Sequence, residues 1–136
     1  MASPHFVYSV STRSVAAVEM QLPASTIHGA DLRFHGVVRD QEEERNILGI
    51  EYSHYESMAI NELRRIGEAM TTAHPDHLAL VHHVIGFVPA GEASILIRVQ
   101  TPHSAEAFEI CREYLRRIKA TVPIWKKPVF EVDSPA

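Results

Sequence analysis

Cysteine is nearly missing from this chain: Cys111 stands alone, so no intramolecular disulfide can form. A disulfide-stapled secreted scaffold is thereby excluded, and a reducing, cytoplasmic setting is the expected compartment. No apolar run approaches the roughly 20 residues that cross a bilayer, and no signal-peptide pattern opens the sequence, so no membrane association is expected. An excess of positive charge is absent too, with 13 Lys and Arg against 17 Asp and Glu for a net charge of −4. Such a surface repels a phosphate backbone, so nucleic acid is not an expected partner. There is no internal repeat and no break in composition. The 136 residues, 46% of them hydrophobic, are expected to form one domain over 1–136 that buries roughly two thirds of its unfolded surface.

What the chain does have is a strong local segregation of charge. Between positions 112 and 127 lie six cations, Arg112, Arg116, Arg117, Lys119, Lys126 and Lys127, against Glu113, a local balance of +5. The rest of the chain holds seven cations and sixteen carboxylates, a balance of −9. Lys119 and the pair Lys126-Lys127 bracket a Pro123-Ile124-Trp125 corner. Proline ends a helix, so the chain must turn there and carry Trp125 and two ammonium groups back toward the helix end. A small anion or an acidic protein tail suits such a patch. The three arginines are expected simply to line a solvated helix face.

Periodicity sets the coarse architecture. Strands are expected over 5–10, 30–38, 47–53, 78–85 and 93–100, with 78–85 apolar enough to be buried on both faces. In 93–100, Ile95, Ile97 and Val99 alternate with Ser94, Leu96, Arg98 and Gln100, a period of two. A helix is expected over 56–72, where Ala59, Leu63, Ile66 and Met70 recur at helical spacing, and a second follows Ser104 with Phe108, Cys111, Leu115 and Ile118 as its apolar stripe. The acidic run over 40–46 reads as a mobile, solvated loop, and 11–29 is ambiguous. The class is α+β, two main helices against a mostly antiparallel sheet.

On the last helix Lys119 follows Ile118 directly and so borders the apolar stripe. A half-buried lysine beside other cations has its pKa lowered and becomes a candidate base or nucleophile; a charged one holds an anion. The competing reading is a lysine that snorkels along the core and favours the helix's negative end. Nine histidines invite a metal hypothesis, but His74, His77, His82 and His83 lack a convergent ligand set, since adjacent strand residues point to opposite faces. No metal and no cofactor are expected. Cys111, on the apolar stripe, reads as core.

Several motifs carry a family resemblance. Gly29-Ala30-Asp31-Leu32-Arg33-Phe34-His35-Gly36-Val37-Val38-Arg39-Asp40, then Tyr55-Glu56-Ser57-Met58, Gly91-Glu92, His103, Ala107-Phe108, and finally Lys119 with Pro123-Ile124-Trp125-Lys126-Lys127 follow one another in order. In this the chain resembles the large, catalytic subunit of molybdopterin synthase over about residues 29–128. The resemblance implies an α/β hammerhead fold with an added antiparallel β subdomain. It implies a homodimer that binds two copies of a small ubiquitin-like sulfur carrier, giving a heterotetramer. The carrier's Gly-Gly tail ends in a thiocarboxylate, whose sulfur converts cyclic pyranopterin monophosphate into the dithiolene of molybdopterin. By motif match Lys119 and Lys126 are the catalytic lysines, and Phe34, Arg39, His103 and Lys127 belong to the substrate pocket.

That chemistry suits a basic patch on an acidic body. Both the tail and the phosphate-bearing pterin are anions, and an ammonium stabilises the charge that develops on an acyl oxygen. Lys119 is expected beside the thiocarboxylate and Lys126 beside the pterin. The sequence also departs from the family pattern: Val84 and Ser104 stand where arginines are usual, and Pro128 where glutamate is usual. Arg33, Arg39 or Arg98 is expected to substitute for the lost arginines; otherwise the chain is a non-catalytic paralogue that binds the carrier or a related anion.

Overall fold

The structure is a computed structural model that describes residues 6–132. Two sheets share the work. The first has the order β1 (Phe6–Ser11), β5 (Leu78–Val84), β7 (Ala93–Thr101), β2 (Ala30–Val37), with β1 parallel to β5 and the other pairs antiparallel. The second centres on β4 (Arg45–His54), which pairs with β3 (Gln41–Glu42), with β6 (Gly86–Pro89) and with β8 (Ile124–Phe130), antiparallel throughout. This is the α+β plan with a separate antiparallel sheet that the resemblance implied. Position 5 of the expected first strand lies outside the described residues.

Two long helices, α2 (Glu56–Ala73) and α3 (Ser104–Thr121), cover one face of the first sheet. The expected stripe of α2 is buried there, and it meets Phe6, Ala79, Val81, Ile97 and Val99. A methyl group on Gly67 would run into the Phe6 ring, so α2 lies against β1 at a distance only glycine permits. On the other face Leu80, Val84 and Leu96 pack with the short helix α1 (Val15–Val18) and with Ile47, Ile50 and Val88 of the second sheet. Covering both faces explains why β5 and β7 are buried throughout.

Several expectations are corrected. The stripe of α3 runs Ala107, Ile110, Cys111, Tyr114 and Ile118, and Phe108 is 64% exposed. Tyr114 can be buried because its hydroxyl reaches His77 Nε2 at 2.5 Å. The stretch 11–29 holds α1, capped by the Ser14 hydroxyl, and a 3-10 turn at Glu19–Gln21. The acidic run over 40–46 is no loop but a tight hairpin of β3 on β4 whose turn residues, Glu43 and Glu44, have φ of 52° and 63°. That left-handed geometry favours Asn-Gly, so two glutamates there cost on the order of 1–2 kcal/mol each. Arg45 stacked 4.0 Å over the Phe130 ring and the bond from Ile47 N–H to Asp40 O help hold the hairpin. Pro128 is accommodated because β8 is an outer strand.

The alternation in β7 separates two buried faces, one apolar and one carrying a polar network. Arg98 is fully buried. Its Nε and Nη2 donate to the two carboxylate oxygens of Asp31, at 2.9 and 2.6 Å, and its Nη1 donates to the carbonyls of Glu19 and Leu22. Gln100 donates from Nε2 to Pro23 O at 3.0 Å. Buried polar groups persist when every donor is matched, and this network ties β7 and β2 to the 3-10 turn.

Candidate active site

The chain leaves α3 at Val122, whose N–H still bonds Ile118 O, and Pro123 turns it into β8. Pairing with β4 then sets Lys126 opposite Tyr52 and Lys127 opposite Glu51. Lys126 and Lys119 end up on a common cleft of about 500 Å³, where the last turns of α3, the start of β8 and the ends of β2, β5 and β7 meet. Phe34, Gly36, Tyr52, His83, Ser94 and Ile95 form much of its wall. A cross-strand row Gly36–Ile95–His83 crosses three strands of the first sheet. A methyl group on Gly36 would sit 2.5 Å from Ile95 Cγ2, so glycine keeps this wall open.

Both cleft lysines are exposed, Lys119 included, in place of the half-buried position expected for it. Lys119 has no hydrogen-bond or ion-pair partner among the described residues. Lys126 Nζ lies 3.8 Å from Glu42 Oε1, at the foot of the acidic hairpin. A solvated pair at that distance contributes about 0–1 kcal/mol and is readily exchanged for another anion.

Phe34 therefore shares the cleft with the two lysines, whereas three other expected site residues do not. Lys127 alternates away from Lys126 along β8 and is absent from the cleft wall. Arg39 lies beyond the end of β2, on a separate groove with Asp40, Gln41 and Gly91. His103 stands at the N-cap position of α3, with no side-chain bond to the helix. Sixteen residues of helix separate it from Lys119, about 24 Å at 1.5 Å per residue. The substitute arginines are also accounted for: Arg98 is locked in the network above, and Arg33 pairs with Glu19 and Asp31 at 3.8 and 3.6 Å. Arg98 is unavailable to hold a substrate, and Arg33 is absent from the wall of the lysine cleft. Val84 sits on the network face of the sheet, against α1 and Val88, so the valine takes nothing from this chain's lysine cleft. Ser104 is exposed beside His103.

Sequence reasoning missed His83 and Tyr52. Their rings meet edge to face at 4.9 Å. His83 Nδ1 donates to Val84 O at 2.7 Å, and burial, ahead of the charges of His82 and His54, pushes its pKa down to about 4. The imidazole is thus neutral at ordinary pH. Its signal in the sequence was only the alternation of β5, which puts His82 on the network face, bonded to Ser9 and to Arg13 O, and His83 on the cleft face. Cys111, by contrast, is a buried thiol with its pKa pushed up to about 11, consistent with a core role. Among the described residues no three His, Cys, Asp or Glu side chains converge as a metal-binding group.

A family model described as MoaE protein matches residues 9–121. The chain belongs to the MoaE family. A molybdopterin synthase catalytic subunit from Drosophila willistoni is 40% identical over 110 residues, which cover 79% of this chain and 29% of that protein. Against the curated Drosophila relatives, this MoaE chain spans about a third of their length. The crystal structure of molybdopterin synthase from Staphylococcus aureus superposes with a TM-score of 0.82 at 28% identity, covering 92% of this chain and 91% of that one. A complex of subunits 1 and 2 of molybdopterin-converting factor from Helicobacter pylori has the same fold, with a TM-score of 0.70 at 19% identity over 94% of this chain and 90% of that one. No helix among the described residues is long and apolar enough to cross a membrane.

Proposed function

We propose that this MoaE chain, residues 1–136 acting as one domain in the cytoplasm, is the catalytic subunit of a molybdopterin synthase. It takes sulfur from the C-terminal thiocarboxylate of a small ubiquitin-like carrier and delivers it to cyclic pyranopterin monophosphate. The observation that carries the proposal is the single cleft that Lys119 and Lys126 both line, with Lys119 unpaired among the described residues. Two ammonium groups, one without a partner and one held by a weak exchangeable ion pair, suit two anionic reactants better than they suit folding. Lys119 stabilises the charge on the acyl oxygen of the tail, and Lys126 exchanges Glu42 for an anionic group of the pterin.

The roles of His103 and Arg39 follow from where they lie. His103 is about 24 Å along α3 from Lys119, so one chain cannot bring both to one small substrate. A homodimer resolves this: the second copy supplies His103, and with it Arg39, to the lysine cleft of the first. Two carriers on such a dimer give the heterotetramer.

Reconstitution tests the reading. Mixed with thiocarboxylated carrier and cyclic pyranopterin monophosphate, the wild-type protein is expected to form dithiolene. Lys119→Ala is expected to lower turnover by about 100- to 1000-fold with an unchanged melting temperature, as for removal of a group that stabilises an oxyanion. Turnover like the wild type in Lys119→Ala would sink the assignment; carrier binding without product in the wild type would favour a non-catalytic carrier-binding role.

A further inference from the structure

His83 occupies a position in the cleft that neither lysine can fill. It is almost fully buried, on β5, at the inner wall whose outer parts hold Lys119 and Lys126. Its Nδ1–H is spent on Val84 O at 2.7 Å, which fixes the tautomer and leaves the Nε2 lone pair outward. Nε2 has no hydrogen-bond partner among the described residues. Its neighbour His82 shows what a structural histidine looks like in this strand, since both of its nitrogens are engaged, by Ser9 and Arg13. We propose that His83 is the proton acceptor of the cleft, receiving onto Nε2 the proton of the water that frees sulfur from the carrier.

This rests on the sulfur-transfer reading. When the thiocarboxylate sulfur bonds to a pterin carbon and an oxygen substituent leaves that carbon with its electron pair, the acyl–sulfur bond still joins carrier to substrate, and water must cleave it. The water oxygen bonds to the acyl carbon while its proton passes to Nε2. The carbon–sulfur bond then breaks with its electron pair on sulfur. The products are the carrier's carboxylic acid and a substrate thiolate, and the imidazolium returns its proton to that thiolate or to solvent. No oxidant or further reactant is required. The charged and titratable groups around the ring favour a neutral acceptor: Lys126 from β8 and Lys119 from α3 share the cleft, Tyr52 from β4 touches the ring, and His54 and His82 are its other titratable neighbours. Burial, and after it the charges of His82 and His54, disfavours a positive charge on the ring, so the base stays unprotonated down to well below neutral pH. A cationic lysine cannot accept a proton; a neutral imidazole can.

The experiment has two arms. In the wild-type protein, long-range 1H–15N correlation at about pH 7 is expected to show His83 protonated at Nδ1 and bare at Nε2. An imidazolium or the opposite tautomer overturns the proposal whether or not variants fold. In reconstituted synthase, His83→Gln is expected to lower turnover by about 100-fold with KM changed less than about threefold, and to accumulate a carrier–pterin conjugate visible by intact mass. The acid limb of the pH profile disappears in that variant, and added imidazole partly restores His83→Ala. Turnover of His83→Gln within about twofold of an active wild type, with no conjugate, overturns this role alone. A wild type that makes no dithiolene overturns the sulfur-transfer reading together with it.

Discussion

Cations lie against both faces of the first sheet, and they are held in opposite ways. On the face toward α1, Arg98 is fully buried and its guanidinium donates to Asp31 and to two backbone carbonyls, while Arg33 pairs with Glu19 and Asp31. At the cleft, on the face toward α3, Lys119 has no protein partner among the described residues and Lys126 has one weak one. Buried charge has to be matched to be tolerated, and a matched charge is unavailable to a ligand. The network face is therefore architecture, and the cleft face holds charge that the described residues leave largely unmatched. The contrast also removes Arg98 as a replacement for the arginines expected at positions 84 and 104, and Arg33 lies outside the lysine cleft.

Breaking the network should be the largest change. Arg98→Leu takes from Asp31 its chief partner and from the Glu19 and Leu22 carbonyls their donor, and is expected to lower unfolding free energy by about 3 kcal/mol, with turnover per folded molecule unchanged. Chemical denaturation and active-site titration would check both halves; lost turnover at full folding would blur the division between faces. Next comes pH. His83 has a folded pKa of about 4 against an ordinary 6.5, so the folded state binds fewer protons than the unfolded chain between those values. Stability should fall by about 2–3 kcal/mol as pH drops through that window.

A second acid window belongs to Asp31, held down to about 2 chiefly by the Arg98 hydrogen bonds. Its contribution is complete above about pH 4 and lost as pH falls toward 2, and solvent screening keeps it near 1–2 kcal/mol. Denaturation curves of Asp31→Asn should lack this lower step and keep the upper one. The smallest effect is expected at the hairpin. Glu42→Gln removes the only carboxylate that competes for Lys126 among the described residues, and the pterin KM should drop about two- to threefold. A higher KM would mean that Glu42 orients Lys126 for catalysis.

The sequence made some of this legible and hid the rest for physical reasons. Ala59, Leu63, Ile66 and Met70 announced α2 because their partners are generic apolar surface. Phe108 was misread because helical spacing cannot tell which of two adjacent stripes finds a sheet, and Tyr114 displaced it by bonding His77 from 37 residues away. Arg98 read as a possible substitute for a lost arginine because its partners are remote in sequence, its carboxylate 67 residues off and its carbonyls 79 and 76. The Glu43-Glu44 turn was invisible because neither residue favours positive φ. At the site, motif order identified Lys119, Lys126 and Phe34, which converge. The expected helix already set His103 at its start and Lys119 near its end, but motif order alone did not show that they therefore line no common cleft in one chain.

That separation makes the central claim directly measurable: the lysine cleft is the reacting centre, completed by the other copy. Lys119→Ala and His103→Ala, each inactive alone, are mixed, dissociated and reassembled before reconstitution with thiocarboxylated carrier and pterin. Random pairing in a symmetric dimer gives one intact site in about four, so activity should return to about a quarter of wild type. No recovery in verified mixed dimers would contradict the account.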